Sequence, residues 1–343
     1  MRVALLVPAL VMMVAAAAAS DIAQESVAVE RRERALNEAM YVHIGGIDQW
    51  LQIRGDDPAN PVLLWLNGGP GLSTIPSTYL YRPWEHKFTI VMWDQRGEGK
   101  TFEKSGESVA ASMTIDQMSS DGIEVAEFLK SHLHKRKIIL LGHSWGSILG
   151  VHMIVQRPDL FAAYVGTGQV INIHKQLEAS YPLLLKRASG NPEAVRELQS
   201  IGPPPWKDGE AYKTVNKLAD ELDPPEKGNA PVPSATIEQW RSRYFQAGAA
   251  FSGRALFDAI GREDITSFAT RFDVSVIFIQ GSDDLLTTTS VVKAYFETIE
   301  APKKKFIELP GAGHLAIFRD RDAFLTQLVT QVRPLAEAPK QQP

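Results

Sequence analysis

The chain of 343 residues has no cysteine. That excludes disulfides, a thiolate nucleophile and any cysteine-held zinc. Its eight histidines are scattered, and no H-E-x-x-H or similar cluster marks a metal site, so neither metal nor cofactor is expected. Positive charge is not in excess: 36 Lys and Arg face 40 Asp and Glu, a formal charge of −4. A nucleic-acid surface, which shows as clustered basic residues, is therefore not expected. What is present is 44% apolar sequence, enough for one large core, optionally with an insertion, and too much for a disordered or fibrous chain.

The first residues are a separate object. Met1-Arg2 precedes an apolar run from Val3 to Ala19, which ends in alanines and Ser20. A basic start, an apolar centre and small residues at the end predict a secretory signal peptide over 1–19, cut near Ala19 or Ser20. The run is short for a spanning helix, which needs about 20 apolar residues. The expected product is periplasmic or secreted and has no membrane segment after cleavage; its oligomeric state is left open.

The most informative stretch is Lys137 to Ser147. Ile138–Leu141 is apolar enough for a buried strand, Gly142-His143-Ser144-Trp145-Gly146 fits G-x-S-x-G, and an apolar helical segment follows from Ile148. Strand, sharp turn and helix form the setting of a nucleophile elbow, with Ser144 at its tip. Two later strands end in matching chemistry: Val274 to Asp284 runs into Asp283 and Asp284, and Phe306 to His314 runs through Pro-Gly-Ala-Gly to His314. The order Ser144, Asp284, His314 is the triad order of α/β-hydrolases. A serine hydroxyl needs a base to become nucleophilic. His314 takes that part, and a carboxylate fixes the ring's tautomer and stabilises its charged form. Asp284 is preferred to Asp283 on its Gly-x-x-Asp spacing, and His143 is read as structural. An oxyanion needs two N–H donors: Trp145, after the nucleophile, and the glycine-rich loop Asn67-Gly68-Gly69-Pro70-Gly71, where Gly69 is chosen over Gly68.

Strands are also expected at Tyr41–Ile47, Gln49–Ile53, Pro61–Leu66, Thr89–Trp93 and Phe161–Val165. Helical patterns lie between them, clearest at Met118, Gly122, Ala126, Leu129 and Leu133. This alternation predicts an α/β chain with a mostly parallel twisted sheet and helices on both faces. Residues 171–262 break the rhythm and read as an inserted, mainly helical cap, with helices at Tyr181–Arg187, Pro192–Ser200 and Ser234–Phe251. The core is then 20–170 and 263–335, followed by a flexible tail over 336–343. Substrate-pocket candidates are Asn67, Gly68, Trp206 and Tyr244. Gly97-Glu98-Gly99-Lys100-Thr101 lacks the first glycine of a phosphate loop, since position 94 is Asp. Asp94 and Arg96 are read as a pair bracing nearby loops.

Asn67-Gly68-Gly69-Pro70-Gly71, Asp94-Gln95-Arg96-Gly97-Glu98-Gly99-Lys100-Thr101 and Gly142-His143-Ser144-Trp145-Gly146-Ser147 together resemble the signature blocks of the proline iminopeptidase family of α/β-hydrolases. The resemblance implies a capped hydrolase acting on a small molecule, through an acyl-enzyme, at an N-terminal proline or a related amide or ester. Two departures bear on the substrate. Asn67 stands where the family's oxyanion block begins with histidine. The acidic cap residues that bind a substrate's amino group in the family have no evident counterpart, and Arg241 and Arg243 lie where one is expected. A carboxylesterase or lactonase with no need of a free N-terminus is the alternative, and a binding protein that has lost catalysis is a second.

Overall fold

A computed structural model describes residues 35–206, 209–227 and 233–337; at 237, 239–241, 243 and 244 it describes the backbone alone. The signal peptide expected over 1–19 and the tail from 338 onward lie outside the described residues.

The stretch Val62–Leu66 shows why a sheet sits at the centre. All five side chains are buried. Leu63 and Trp65 enter one apolar cluster, while Val62, Leu64 and Leu66 enter another. Side chains alternate across a strand, so a strand apolar on both faces must lie between two layers. Ile138–His143 divides in the same way, with Ile139 and Leu141 opposite Ile138 and Leu140.

Among the described residues eight strands form this sheet: β1 (Leu36–Ile44), β2 (Ile47–Gly55), β3 (Val62–Leu66), β4 (Thr89–Asp94), β5 (Ile138–His143), β6 (Phe161–Thr167), β7 (Ser275–Gly281) and β8 (Lys304–Leu309). Their order is β1-β2-β4-β3-β5-β6-β7-β8. The pairings of β2 with β1 and β4 are antiparallel, and the rest are parallel. The parallel strands therefore deliver their C-terminal ends, and the loops after them, to one edge. The first hairpin differs from its sequence reading. β1 starts at Leu36, because an edge strand with alternating exposure tolerates polar residues. The turn is Gly45-Gly46, with φ of 55° and 79°, two positive values that suit glycine in a tight hairpin, so Ile47 belongs to β2.

Helix α1 (Ile115–His132) buries Met118, Gly122, Ala126 and Leu129, the expected stripe. Leu133 lies just past its end. Helix α2 (Trp145–Gln156) follows β5 and is mostly buried.

After β6 the chain leaves the sheet for a helical cap: α3 (Ile173–Arg187), α4 (Pro192–Ile201), α5 (Gly209–Leu222), α6 (Ser234–Arg241) and α7 (Arg243–Arg262). Ile265 N–H donates to Ile171 O at 2.9 Å, and Asn172 pairs with Asp264. The two ends of the insertion thus meet at one point. The cap helices pack around a cluster in which Leu184, Leu198, Val215 and Leu218 are fully buried or nearly so, joined by Leu285 from the loop after β7. Helix α5 was not foreseen, and the single helix expected from Ser234 is two, since Ser242 adopts extended backbone between them.

Candidate active site

Ser144 stands between β5 and α2 with φ 52° and ψ −121°, a conformation side-chain-bearing residues seldom adopt. The flanking glycines are enforced sterically. A Cβ on Gly142 would lie 2.7 Å from Gly146 O, and one on Gly146 would lie 2.2 Å from Leu66 O. The turn is fastened by Ser147, whose hydroxyl donates to Ser144 O at 2.6 Å and accepts Val170 N–H at 2.9 Å.

The loops after β5, β7 and β8 bring three predicted residues together. His314 Nε2 lies 3.1 Å from Ser144 Oγ, and His314 Nδ1 lies 3.1 Å from Asp284 Oδ2. Asp284 is held by four further donors. The N–H groups of Leu286 and Thr287 reach Oδ1, each at 2.8 Å; Gln280 Nε2 and Thr287 Oγ1 reach Oδ2 at 2.7 and 2.6 Å. Burial alone would push this carboxyl up; the His314 charge and these hydrogen bonds outweigh it and hold the group below the usual carboxylate range. For His314 burial pulls the other way, yet Asp284, with help from Asp223 and Asp220, raises the ring above its ordinary value. Asp283 instead faces outward and pairs with Arg187 at 2.8 Å.

His143 is more than packing. It is buried, its ring centroid is 5.1 Å from that of His314, and it lines the cavity over Ser144. Its Nε2 is 3.2 Å from His314 O; a carbonyl can only accept, so Nε2 carries the proton. Burial, then the neighbouring His314, lowers its pKa to about 3, so the ring is neutral.

Gly68 and Gly69 both line the cavity beside Ser144. Gly69 has φ 125°. A Cβ on Gly68 would sit 2.8 Å from His143 Nδ1 and 3.1 Å from Ser144 Cβ. Trp145 opens α2, where backbone N–H groups lack partners within the helix. The loop and the elbow are linked beneath the surface. Trp145 Nε1 donates to Gln95 Oε1 at 3.1 Å, Gln95 Nε2 to Asn67 Oδ1 at 3.1 Å, and Asn67 Nδ2 to Leu72 O at 2.6 Å.

That linkage corrects one pocket candidate: Asn67 is fully buried under the loop and absent from the cavity lining. Trp206 is also elsewhere. Its Nε1 donates to Gly202 O at 3.0 Å, and its ring packs against Tyr181 in the cap core. The side chain of Tyr244 lies outside the described residues, as do those of Arg241 and Arg243. Asp94 and Arg96 do not pair with each other. Arg96 is bound by Asp121 at 2.9 and 3.1 Å. Asp94 Oδ2 accepts Lys100 N–H at 2.8 Å. Burial pushes Asp94 up to about 6, and burial together with Asp94 pushes Glu98 well above the carboxylate range. Glu98 is fully buried, and the neighbouring Asn67 side chain works against that rise without overcoming it.

The cavity over Ser144 measures about 440 Å³. Leu72, Phe245, Leu286, Leu315 and Phe318 supply apolar walls; Asn216, Asp220 and Asp223 come from α5 and its end. Sequence reasoning missed these two acids along with their helix. The signal was available: Ala211, Val215, Leu218, Ala219 and Leu222 recur at helical spacing.

Residues 61–320 match the family model described as the alpha/beta hydrolase fold. A Bacillus subtilis (strain 168) protein named "Probable aminopeptidase YbaC" is 31% identical over 84% of this chain and 94% of its own length. A proline iminopeptidase of Thermoplasma volcanium is 24% identical over 83% of this chain and 92% of its own. The solved proline iminopeptidase of Mycobacterium smegmatis superposes with a TM-score of 0.66 at 19% identity, covering 88% of this chain and all of the other. Strand order, the turn at Ser144 and these likenesses agree, and the chain belongs to the α/β-hydrolase family, in its proline iminopeptidase-like branch.

Proposed function

We propose that this hydrolase is a serine enzyme that cleaves small esters or amides through an acyl-enzyme. The observation that carries the reading is the unbroken contact from Asp284 through His314 to Ser144. Ser144 Oγ attacks the substrate carbonyl carbon while its proton passes to His314 Nε2. The N–H groups of Trp145 and Gly69 receive the developing oxyanion. Collapse breaks the bond to the leaving group, which takes the proton from His314. A water molecule then repeats the sequence on the acyl-serine and releases the acid.

For the substrate, the family relationship favours an N-terminal aminoacyl amide or ester, as the names of the relatives suggest. One observation favours a wider range that needs no free N-terminus. The cavity-lining acids are already engaged: Asp223 by His314 N–H and Arg319, Asp220 by Arg319. A buried ammonium without its own carboxylate partner costs several kcal/mol. Free and N-acetylated aminoacyl esters should then be cleaved at rates within about tenfold, a gap of about 1.4 kcal/mol. A thousandfold preference, on the order of 4 kcal/mol, for free prolyl substrates would restore the strict iminopeptidase reading. Export completes the proposal: the mature protein should be recovered outside the cytoplasm beginning near Ser20, and an intact Met1 on the cellular product would remove that part.

A further inference from the structure

His314 is held by its backbone as well as its ring, and the hold on its N–H comes from the cap. Asp223, one residue beyond α5, accepts His314 N–H on Oδ1 at 2.7 Å. Its other oxygen accepts Arg319 Nη1 at 3.1 Å, and the same guanidinium reaches Asp220 Oδ1 at 2.7 Å. The Asp223 side chain is 1% exposed. Gly313 makes the approach possible: a Cβ there would lie 1.8 Å from Asp223 Oδ1 and 2.7 Å from Pro224 Cδ. On the other side His314 O is taken by His143 Nε2. Both backbone groups of the proton carrier are thus fixed by side chains, one from the core and one from the cap.

We infer that Asp223 is a positioning residue for the reaction, by which the cap fixes the backbone of His314 and sets a negative charge beside its ring. The inference rests on the serine-hydrolase reading above. The groups around the imidazole are Asp284 and Thr287 from the loop after β7, Ser144 and neutral His143 from the elbow, and Asp223 and Asp220 from the cap, with Arg319 binding the last two. Both cap acids favour the charged ring. The sign follows. With the Asp223 charge removed, the imidazolium loses stabilisation, its pKa falls, and the acid limb of kcat/KM moves to lower pH.

The test uses the full chain and p-nitrophenyl acetate, which has no ammonium group and so cannot report on amine recognition. Asp223→Asn keeps an oxygen for His314 N–H, gives up the acceptor for Arg319, which retains Asp220, and drops the charge; kcat should stay within about threefold of wild type while the acid limb shifts downward. Asp223→Ala removes the acceptor too, and kcat should fall by about tenfold or more with KM within about threefold, since small misplacements of a catalytic group are expensive. An unmoved acid limb in Asp223→Asn would overturn the inference. So would an Asp223→Ala effect confined to KM, which would make Asp223 a substrate-binding group. Should Asp223→Ala fail to fold, the Asn variant decides alone. Failure of the wild type to turn over the ester, or turnover that survives Ser144→Ala, would instead bring down the serine-hydrolase reading.

Discussion

Ser144 is held at φ 52° and ψ −121°, which makes a specific claim about stability. A non-glycine residue in such a region stores about 1–3 kcal/mol, retained only because its surroundings fix it. Ser144→Gly should release that strain, at a loss of about 0.5–1 kcal/mol for the added backbone freedom of the unfolded chain. The net gain lies within about 0–2.5 kcal/mol and centres on about 1 kcal/mol, or about 1–2 °C in Tm for a chain of this size. Ser144→Ala is the control. It also loses the hydroxyl and its 3.1 Å contact with His314 Nε2, but keeps a Cβ and hence the strain. Denaturant midpoints of the two variants, both inactive, would be compared under identical conditions. If Ser144→Gly proves no more stable than Ser144→Ala, the elbow is not strained and the argument from its dihedral angles fails.

Further outcomes follow from the same geometry. Ser144→Ala should reduce turnover by several orders of magnitude, because triad members act as a unit, and should abolish fluorophosphonate labelling; label persisting at Ser147 or Ser73 would relocate the nucleophile. His314 must be neutral to accept a proton, and its pKa lies above the ordinary 6.5, so kcat/KM should fall as pH drops through a value above 6.5; an acid limb well below that would contradict the assigned surroundings. Asp284→Asn should lose most activity and Asp283→Asn little, and the reverse ranking would move the acid. Glu98→Gln should raise stability at about pH 8 more than at about pH 4. The native carboxyl holds its proton above 4.5, where the unfolded one has ionised, so the wild type loses stability as pH rises and the amide does not; equal gains at both pH values would show that Glu98 is ionised in the fold.

The sheet and the segments that bring Ser144, Asp284 and His314 together are legible because each announces itself within a few residues. β3 and β5 are short apolar runs, and glycine at 142 and 146 is demanded by carbonyls within 2.7 Å, so a local pattern carries a local requirement. β1 was cut short because polar residues on an edge strand look like loop. The cap acids were missed for a different reason. The periodicity of α5 is plain in retrospect, but nothing near Asp223 in sequence says that it will meet His314, 91 positions away. Asn67 failed in the opposite direction: its place in a glycine-rich block suggested the surface, while its hydrogen bonds to Leu72 and Gln95 take it inside.

The meeting of the cap's two ends at Ile171 and Ile265 has an evolutionary consequence. An insertion that departs and returns at a single point can lengthen, shrink or be replaced without altering the register of any strand. Selectivity can then diversify while the residues beneath stay put. The hydrogen bond from His314 to Asp223 limits that freedom. A transplanted cap that brings no acceptor for this N–H would leave a well-formed sheet, an intact elbow and a slower enzyme.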